Sequence, residues 1–440
     1  MAGSPAELAT PAAGPRSPAR ELLPVVIPAL LVGIGSGLAL IGLTVVANAL
    51  EDVLWISVPA ALGLDAASPG WIFATLTLTG LAVGVVVTLV PGHAGPDPAT
   101  TDLTAPPLPA VVLPGLALAV ALGLGGGVSL GPENPLIAIN IGLAVAIGLR
   151  VFPSLSVPDW MGLAVAGTVG AMFGTPIAAA LLLSEMATTS ARPLWDRLFG
   201  PLVAASAGAM TVAVLAGESF VLDVAPYGQP ALVDLLTGSL VAVASAIIGM
   251  GAIYAFPIAH AAFQRLRSPI VALVAGGAIL GVIGAIGGPI TLFKGLDQMR
   301  ELTADPGAYT PVALAFMAGL KLVAVVIAST AGFRGGRIFP SIFAAVALGL
   351  FAHAAIPQIP EAVALAGSLV GVLVAVTRSG WLAIFIAALL VGDPAILPLV
   401  CIIVLPAWLV VTGRPEMIIE PTSDRSGVDQ RPNPGVATRA

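Results

Sequence analysis

The chain has 440 residues, of which 58% are hydrophobic and only 9% charged, with a mean hydropathy of +1.05 and a formal net charge of −6. So little charge cannot furnish the polar surface that a soluble protein of this length needs, which excludes a soluble enzyme. The segments are continuously apolar rather than alternating, which also excludes a transmembrane β-barrel and leaves an all-α, polytopic integral membrane protein.

Residues 1–22 are rich in Ala, Pro and Ser, carry Arg16 and Arg20, and lack the apolar core of a cleavable signal. They read as a disordered tail. Apolar stretches follow at 23–50, 53–63, 71–91, 108–130, 135–149, 159–184, 199–216, 231–263, 269–292, 311–331, 338–356, 362–377, 380–392 and 394–412. A full span needs about 20 apolar residues. Several stretches are too short, and others are long enough for two helices. Many are interrupted by glycine and proline, which number 51 and 39. Short, interrupted segments mark helices that stop partway across the bilayer and build transport sites. Residues 413–440 form a second polar tail with Arg414, Arg425, Arg431 and Arg439. Arginine at both ends places both termini in the cytoplasm and requires an even number of crossings of the plasma membrane. Arg192, Arg197, Arg265 and Arg267 are then cytoplasmic as well.

No basic patch is present, so nucleic acid is not an expected partner. Cys401 is the only cysteine, and His93, His260 and His353 are far apart in sequence, so no cofactor or metal is expected. GLGGG at 123–127 follows no predicted strand and lacks a P-loop Lys–Ser/Thr, so it is not a nucleotide loop.

The membrane domain, 23–412, reads as two blocks, about 23–216 and about 231–412. The first reaches GPENP at Gly131, and the second reaches GGRIFP at Gly335, each at a similar distance from its start and each followed by an apolar helix. Matching breaks in two halves point to an inverted repeat.

Each break predicts an anion site. The first helix is expected to start near Asn134 or Pro135, because proline fits a first helical turn where its missing N–H costs nothing. The second is expected near Phe339. The first N–H groups of each have no intrahelical partner and carry partial positive charge. If Gly131, Asn134 and Pro135 converge at mid-membrane with Gly336, Arg337, Ile338 and Phe339, they bind an anion without a full buried charge. Glu133 sits at this break. Its carboxylate could occupy the anion position, yield to a passing halide, and be released on protonation. The alternative is an acidic residue that merely stabilises its helix start. An ionisable residue inside the membrane favours the functional reading.

These segments are similar to those of the chloride channel and transporter (CLC) family. GLKLVAVVIASTAGFRGGRIFPSIFAAVALG, Gly319 to Gly349, resembles its second anion-site segment. GGGVSLGPENPLIAINIG, Gly125 to Gly142, resembles the segment that reads GREGP there, and FGTPIAAALLLSEM, Phe173 to Met186, resembles the helix that follows. The resemblance spans roughly residues 25–420. It implies a homodimer with one pore per subunit, carrying small anions such as chloride as a channel or an anion/proton antiporter, with Glu133 as the gating glutamate.

The departures from the family pattern are specific. In GHAGPDP, His93 falls where an anion-touching serine is expected; an ordinary loop histidine is the other reading. GSG at 35–37 lies too early in the chain. Arg337 is added at the second helix start, with Arg334 three residues earlier; either could face the anion path, pair with an acid or face water. Met417 replaces a pore-facing tyrosine. Met186 falls where antiporters carry a second proton-handling glutamate, with Glu185 beside it; Glu185 either serves the proton path or is a structural residue at a helix end. Lys321, in an apolar run, could snorkel or pair with a buried acid. Two rival readings remain: a transporter of altered selectivity, for example for fluoride, and a non-transporting membrane scaffold that retains the fold.

Overall fold

The computed structural model describes residues 18–101, 103, 105–185, 193–217 and 220–419. Met186, Arg192 and most of both expected tails lie outside them. Sixteen α-helices are found among the described residues: α1 (Pro18–Asp52), α2 (Val58–Leu62), α3 (Pro69–Leu89), α4 (Leu113–Gly125), α5 (Glu133–Val151), α6 (Val157–Phe173), α7 (Pro176–Glu185), α8 (Leu194–Leu215), α9 (Leu232–Gln264), α10 (Pro269–Gly287), α11 (Leu296–Ala304), α12 (Pro311–Ala331), α13 (Ile338–Ala355), α14 (Glu361–Thr377), α15 (Gly380–Val391) and α16 (Leu397–Val411). Nine segments among the described residues are long and apolar enough to span a bilayer, while α4, α6, α7, α14 and α15 are shorter apolar helices.

Two expectations about segment boundaries change. Stretches 23–50 and 53–63 form one run, because a π-helical turn at Val53–Ser57 joins α1 to α2 without a break. The stretch 231–263, long enough for two helices, is the single helix α9; Pro257 lies inside it without ending it.

The repeat is visible in which helices touch. α1 packs on α6 and α8, and its counterpart α9 packs on α14 and α16. α5 packs on α6 as α13 packs on α14, and α6 leads into α7 as α14 leads into α15. α6 and α14 are each 17 residues long, and α5 and α13 are 19 and 18. The halves meet along α3 and α10, each the second helical run of its block, since α1 and α2 are continuous. Small residues make that approach possible: a Cβ on Gly84 would lie 2.9 Å from Ile270 Cα, and one on Gly281 would lie 2.8 Å from Phe73 Cα.

The core sits around α13 and α14. Residues 338–350 and 362–375 are buried without interruption. A helix apolar on every side belongs in the interior, so the second helix start is held inside protein rather than in lipid. The early GSG motif lies within α1, where Ser36 is buried against Gly167 of α6.

Candidate anion site at two facing helix starts

The backbone brings the two breaks together first. Gly131 N–H donates to the Gly336 carbonyl at 2.8 Å, and Gly336 N–H donates to the Gly131 carbonyl at 2.6 Å. This antiparallel exchange sets the starts of α5 and α13 face to face. The helices begin at Glu133 and Ile338, one or two residues earlier than the prolines and Phe339 suggest. Pro135 and Pro340 then fall in the first turns, where no N–H is needed.

Glu133 is fully buried. Its Oε1 accepts the backbone N–H of Phe339 at 2.6 Å. Its Oε2 has no hydrogen-bond donor among the described residues. The carboxylate of the α5 start therefore occupies the Phe339 N–H in the first turn of α13. Gly131 and Gly336 leave the space: a Cβ on either would lie 2.6 Å from Glu133 Cδ. Phe339 is fixed by its ring, which stacks on Phe173 at 6.0 Å and meets Phe220 edge-on at 5.4 Å.

A cavity of about 50 Å³ adjoins this pair. Asn134 and Ile338, the chain neighbours of Glu133 and Phe339, line it, together with Arg337, Thr377, Arg378 and Met417. Met417 is buried and apolar. The Arg337 guanidinium donates to the Met417 carbonyl and lies over the Phe256 ring at 5.4 Å. Within the expected polar tail, Glu416, Met417 and Ile418 line this cavity, and the next residue, Ile419, donates its N–H to Ala99 O at 2.8 Å.

Several candidates take other roles. His93 is exposed, and its Nδ1 pairs with Val87 O at 3.0 Å, so its ring does not join the buried carboxylate. The loop around it has four successive left-handed residues, Gly92 to Gly95. Arg334 collects the carbonyls of His93, Ala94 and Gly95 at 2.8 to 3.0 Å and that of Gly332 at 3.1 Å. Its donors are thereby committed to backbone rather than to an anion. Glu185 accepts from Ser379 Oγ and from Gly380 N–H at 3.0 Å, which caps the start of α15.

Lys321 neither snorkels nor meets an acid. It is fully buried, and Nζ donates to the carbonyls of Thr291, Leu292 and Phe293 at 3.0, 2.8 and 2.7 Å. Its three N–H donors are matched by three successive acceptors, and the Phe343 ring lies 5.0 Å from Nζ. The clamped loop braces the approach to α5, because Ser129 Oγ donates to Thr291 O at 3.1 Å and Phe293 N–H donates to Gly127 O at 3.0 Å.

Sequence reasoning did not single out Thr377 and Arg378, which also line the cavity beside the helix starts. A signal was present for Arg378, an ionisable residue between the apolar runs 362–377 and 380–392.

A polytopic helical repeat in which the carboxylate of one helix start meets the N-terminus of another defines a helical membrane protein of inverted-repeat design. The sequence signature of the family described as "Voltage gated chloride channel" matches residues 79–412, and the chain belongs to this CLC family. The ion-transport protein YfeO of Escherichia coli O139:H28 (strain E24377A / ETEC) is 47% identical over 402 residues, covering 91% of this chain and 96% of that protein. YfeO of Shigella boydii serotype 4 (strain Sb227) matches to the same extent. Among solved structures, a CLC-type fluoride/proton antiporter superposes with a TM-score of 0.75 at 18% identity, covering 91% of this chain and 98% of that one. A slow cyanobacterial Cl−/H+ antiporter superposes with a TM-score of 0.76 at 18% identity, covering 89% and 95%. The fold is therefore that of CLC transporters, and anion transport is the activity of the family.

Proposed function

We propose that this protein exchanges a small anion for protons across the plasma membrane, with Glu133 as the gate. The observation that carries this reading is the Glu133 carboxylate on the Phe339 N–H with its second oxygen unpartnered. A buried carboxylate oxygen without a donor is costly. Two events relieve that cost. An anion can take over the α13 N–H groups and displace the side chain, or a proton can neutralise the acid and weaken its hold there. Both act on one group, so anion and proton movements are coupled. The same reading includes a homodimer with one path per subunit and cytoplasmic termini.

A second reading, selectivity for fluoride, draws on Met417, which offers no hydroxyl donor to an anion, and on the likeness to a fluoride/proton antiporter.

The test uses purified full-length protein in liposomes loaded with chloride or fluoride. An outward anion gradient should drive proton uptake, and Glu133→Gln should retain anion flux while losing proton movement. Wild-type behaviour of Glu133→Gln would remove Glu133 as the gate. No movement of any small anion would favour the scaffold.

A further inference from the structure

We infer that Asp97 and His260 are a proton-operated positioning pair: an imidazolium at His260 locks the turn at 97–101 and, through it, the C-terminal segment beside the two helix starts, and loss of that proton releases them. The inference rests on the transport reading above. It adds control of the transport rate by pH on the side of the C-terminal segment, the cytoplasmic side under that reading.

His260 Nε2 lies 2.9 Å from Asp97 Oδ2, across 163 residues. Gln264, one turn further along α9, brings its Nε2 to 3.3 Å from the same oxygen. The other ion pair found among the described residues, Arg300–Asp297, joins near neighbours on α11. Opposite a carboxylate, which only accepts, His260 Nε2 carries the hydrogen. A second proton on the ring then puts a full charge behind the same bond, and a charge-assisted N–H···O bond is roughly twice as strong as a neutral one.

Asp97 is the hub of its turn. Its Oδ1 accepts the Ala99 N–H at 2.9 Å, and its carbonyl accepts the hydroxyls of Thr100 and Thr101 at 2.9 and 2.8 Å. Ala99 O in turn accepts the Ile419 N–H at 2.8 Å. Two residues before Ile419, the Met417 carbonyl takes the Arg337 guanidinium, and Arg337 immediately precedes α13. Hydrogen bonds and short backbone steps thus connect His260 to the helix start that Glu133 covers. With the segment held, only about 50 Å³ is left open beside the two helix starts. Movement past them therefore depends on releasing it.

Both sides of the pair are built to move. Pro257, three residues before His260, has no N–H for the Ile253 carbonyl, so the last turns of α9 are joined more weakly to the rest. Before Asp97, His93 and Ala94 have φ of +53° and +52° between two left-handed glycines. Such residues persist only where their surroundings hold them. Arg334 holds this loop from one end through the carbonyls of residues 93–95, and His260 holds it from the other.

The charges around the pair are few. Arg334 is within electrostatic reach of Asp97. Arg265 and Arg267 follow Gln264 in the turn to α10. Tyr254, earlier on α9, meets Arg414 at 3.4 Å. Helices α3, α4 and α10 carry no titratable side chain, and Lys321 of α12 is committed to residues 291–293. Arginine and tyrosine keep their charge between about pH 5.5 and 7.5, so the change there falls on histidine. The other imidazole of this region, His93, pairs with Val87 O and serves as a control.

The test has two readouts on the full-length protein. In detergent, amide hydrogen exchange at 413–419, corrected for the intrinsic rate, should be about fivefold slower at pH 5.5 than at pH 7.5. His260→Gln should erase that difference, and His93→Gln should keep it. Asp97→Asn keeps an acceptor for the Ala99 N–H but loses the charge; it should also erase the difference and is the reporter if His260→Gln does not fold. In liposomes at equal pH on both sides, anion flux through Glu133→Gln, which lacks the titrating gate, should rise about fivefold from pH 5.5 to 7.5. The double variant Glu133→Gln/His260→Gln should show no rise. Exchange that ignores pH in the wild type, or a pH profile unchanged by His260→Gln, overturns the inference. So does flux that ignores His260, which leaves the transport reading standing. Exchange that follows His260 in a protein that moves no anion would sink the transport reading and leave the pair in place.

Discussion

Glu133 Oε1 and Phe339 N lie 2.6 Å apart although 206 residues separate them in sequence. One helix start thereby supplies a carboxylate that fills the anion-attracting end of another. The Phe339 N–H at the positive end of α13 is satisfied from within the protein, and under the proposed gating role an anion would compete there with a tethered group that cannot diffuse away.

Gly131 and Gly336 should be as sensitive as Glu133 itself. A methyl group on Gly336 would lie 2.6 Å from Glu133 Cδ and 3.0 Å from its Cβ, so Gly336→Ala must push the side chain out of its place. We expect the anion turnover rate to change about tenfold or more. In a Glu133→Ala background the same substitution should have little effect, because the group it displaces is gone. Flux rates of the four proteins of this cycle decide the matter; additive effects would mean that the glycine acts elsewhere.

Lys321→Met should destabilise the protein by about 2–4 kcal/mol, because three buried carbonyls lose their donor. Thermal unfolding in detergent would read the loss. Hydrogen exchange should rise at residues 127–131, the strand of loop that the clamped carbonyls brace. A normal melting temperature would show that water replaces the ammonium without cost.

Glu185 separates two roles cleanly. As the cap of α15, Glu185→Ala should cost about 0.5–2 kcal/mol. Glu185→Gln keeps a carbonyl acceptor and should leave the proton-to-anion ratio unchanged in liposomes. A fall in that ratio with stability intact would assign Glu185 to the proton path.

Arg334→Gln should loosen the left-handed turn at 92–95, since four carbonyls lose the guanidinium that gathers them. Limited proteolysis should cut near His93 in the variant and not in the wild type, while the relative permeability to different anions stays the same. A shift in permeability would return Arg334 to the anion path.

The amino-acid sequence alone determined the membrane class, the helical content, the duplicated plan, and the pairing of two glycine–proline breaks with Glu133 at one of them. These follow from local quantities: hydropathy along the chain, the missing N–H of proline, and the cost of a charge in apolar surroundings. Tertiary structure decided everything that depends on which distant group meets which. Arg334 and Arg337 look alike in GFRGGRIFP, yet Arg334 holds the backbone of residues 93–95 while Arg337 reaches the Met417 carbonyl beside the cavity. Lys321 finds three carbonyls instead of an acid, and Glu185 meets Ser379 and Gly380 at the start of α15. Arg378 gains its place only because α14, α5 and the segment after α16 converge. Apolar periodicity records which face of a helix is buried, but a buried donor or acceptor is defined by its partner. Here those partners lie up to 241 residues away.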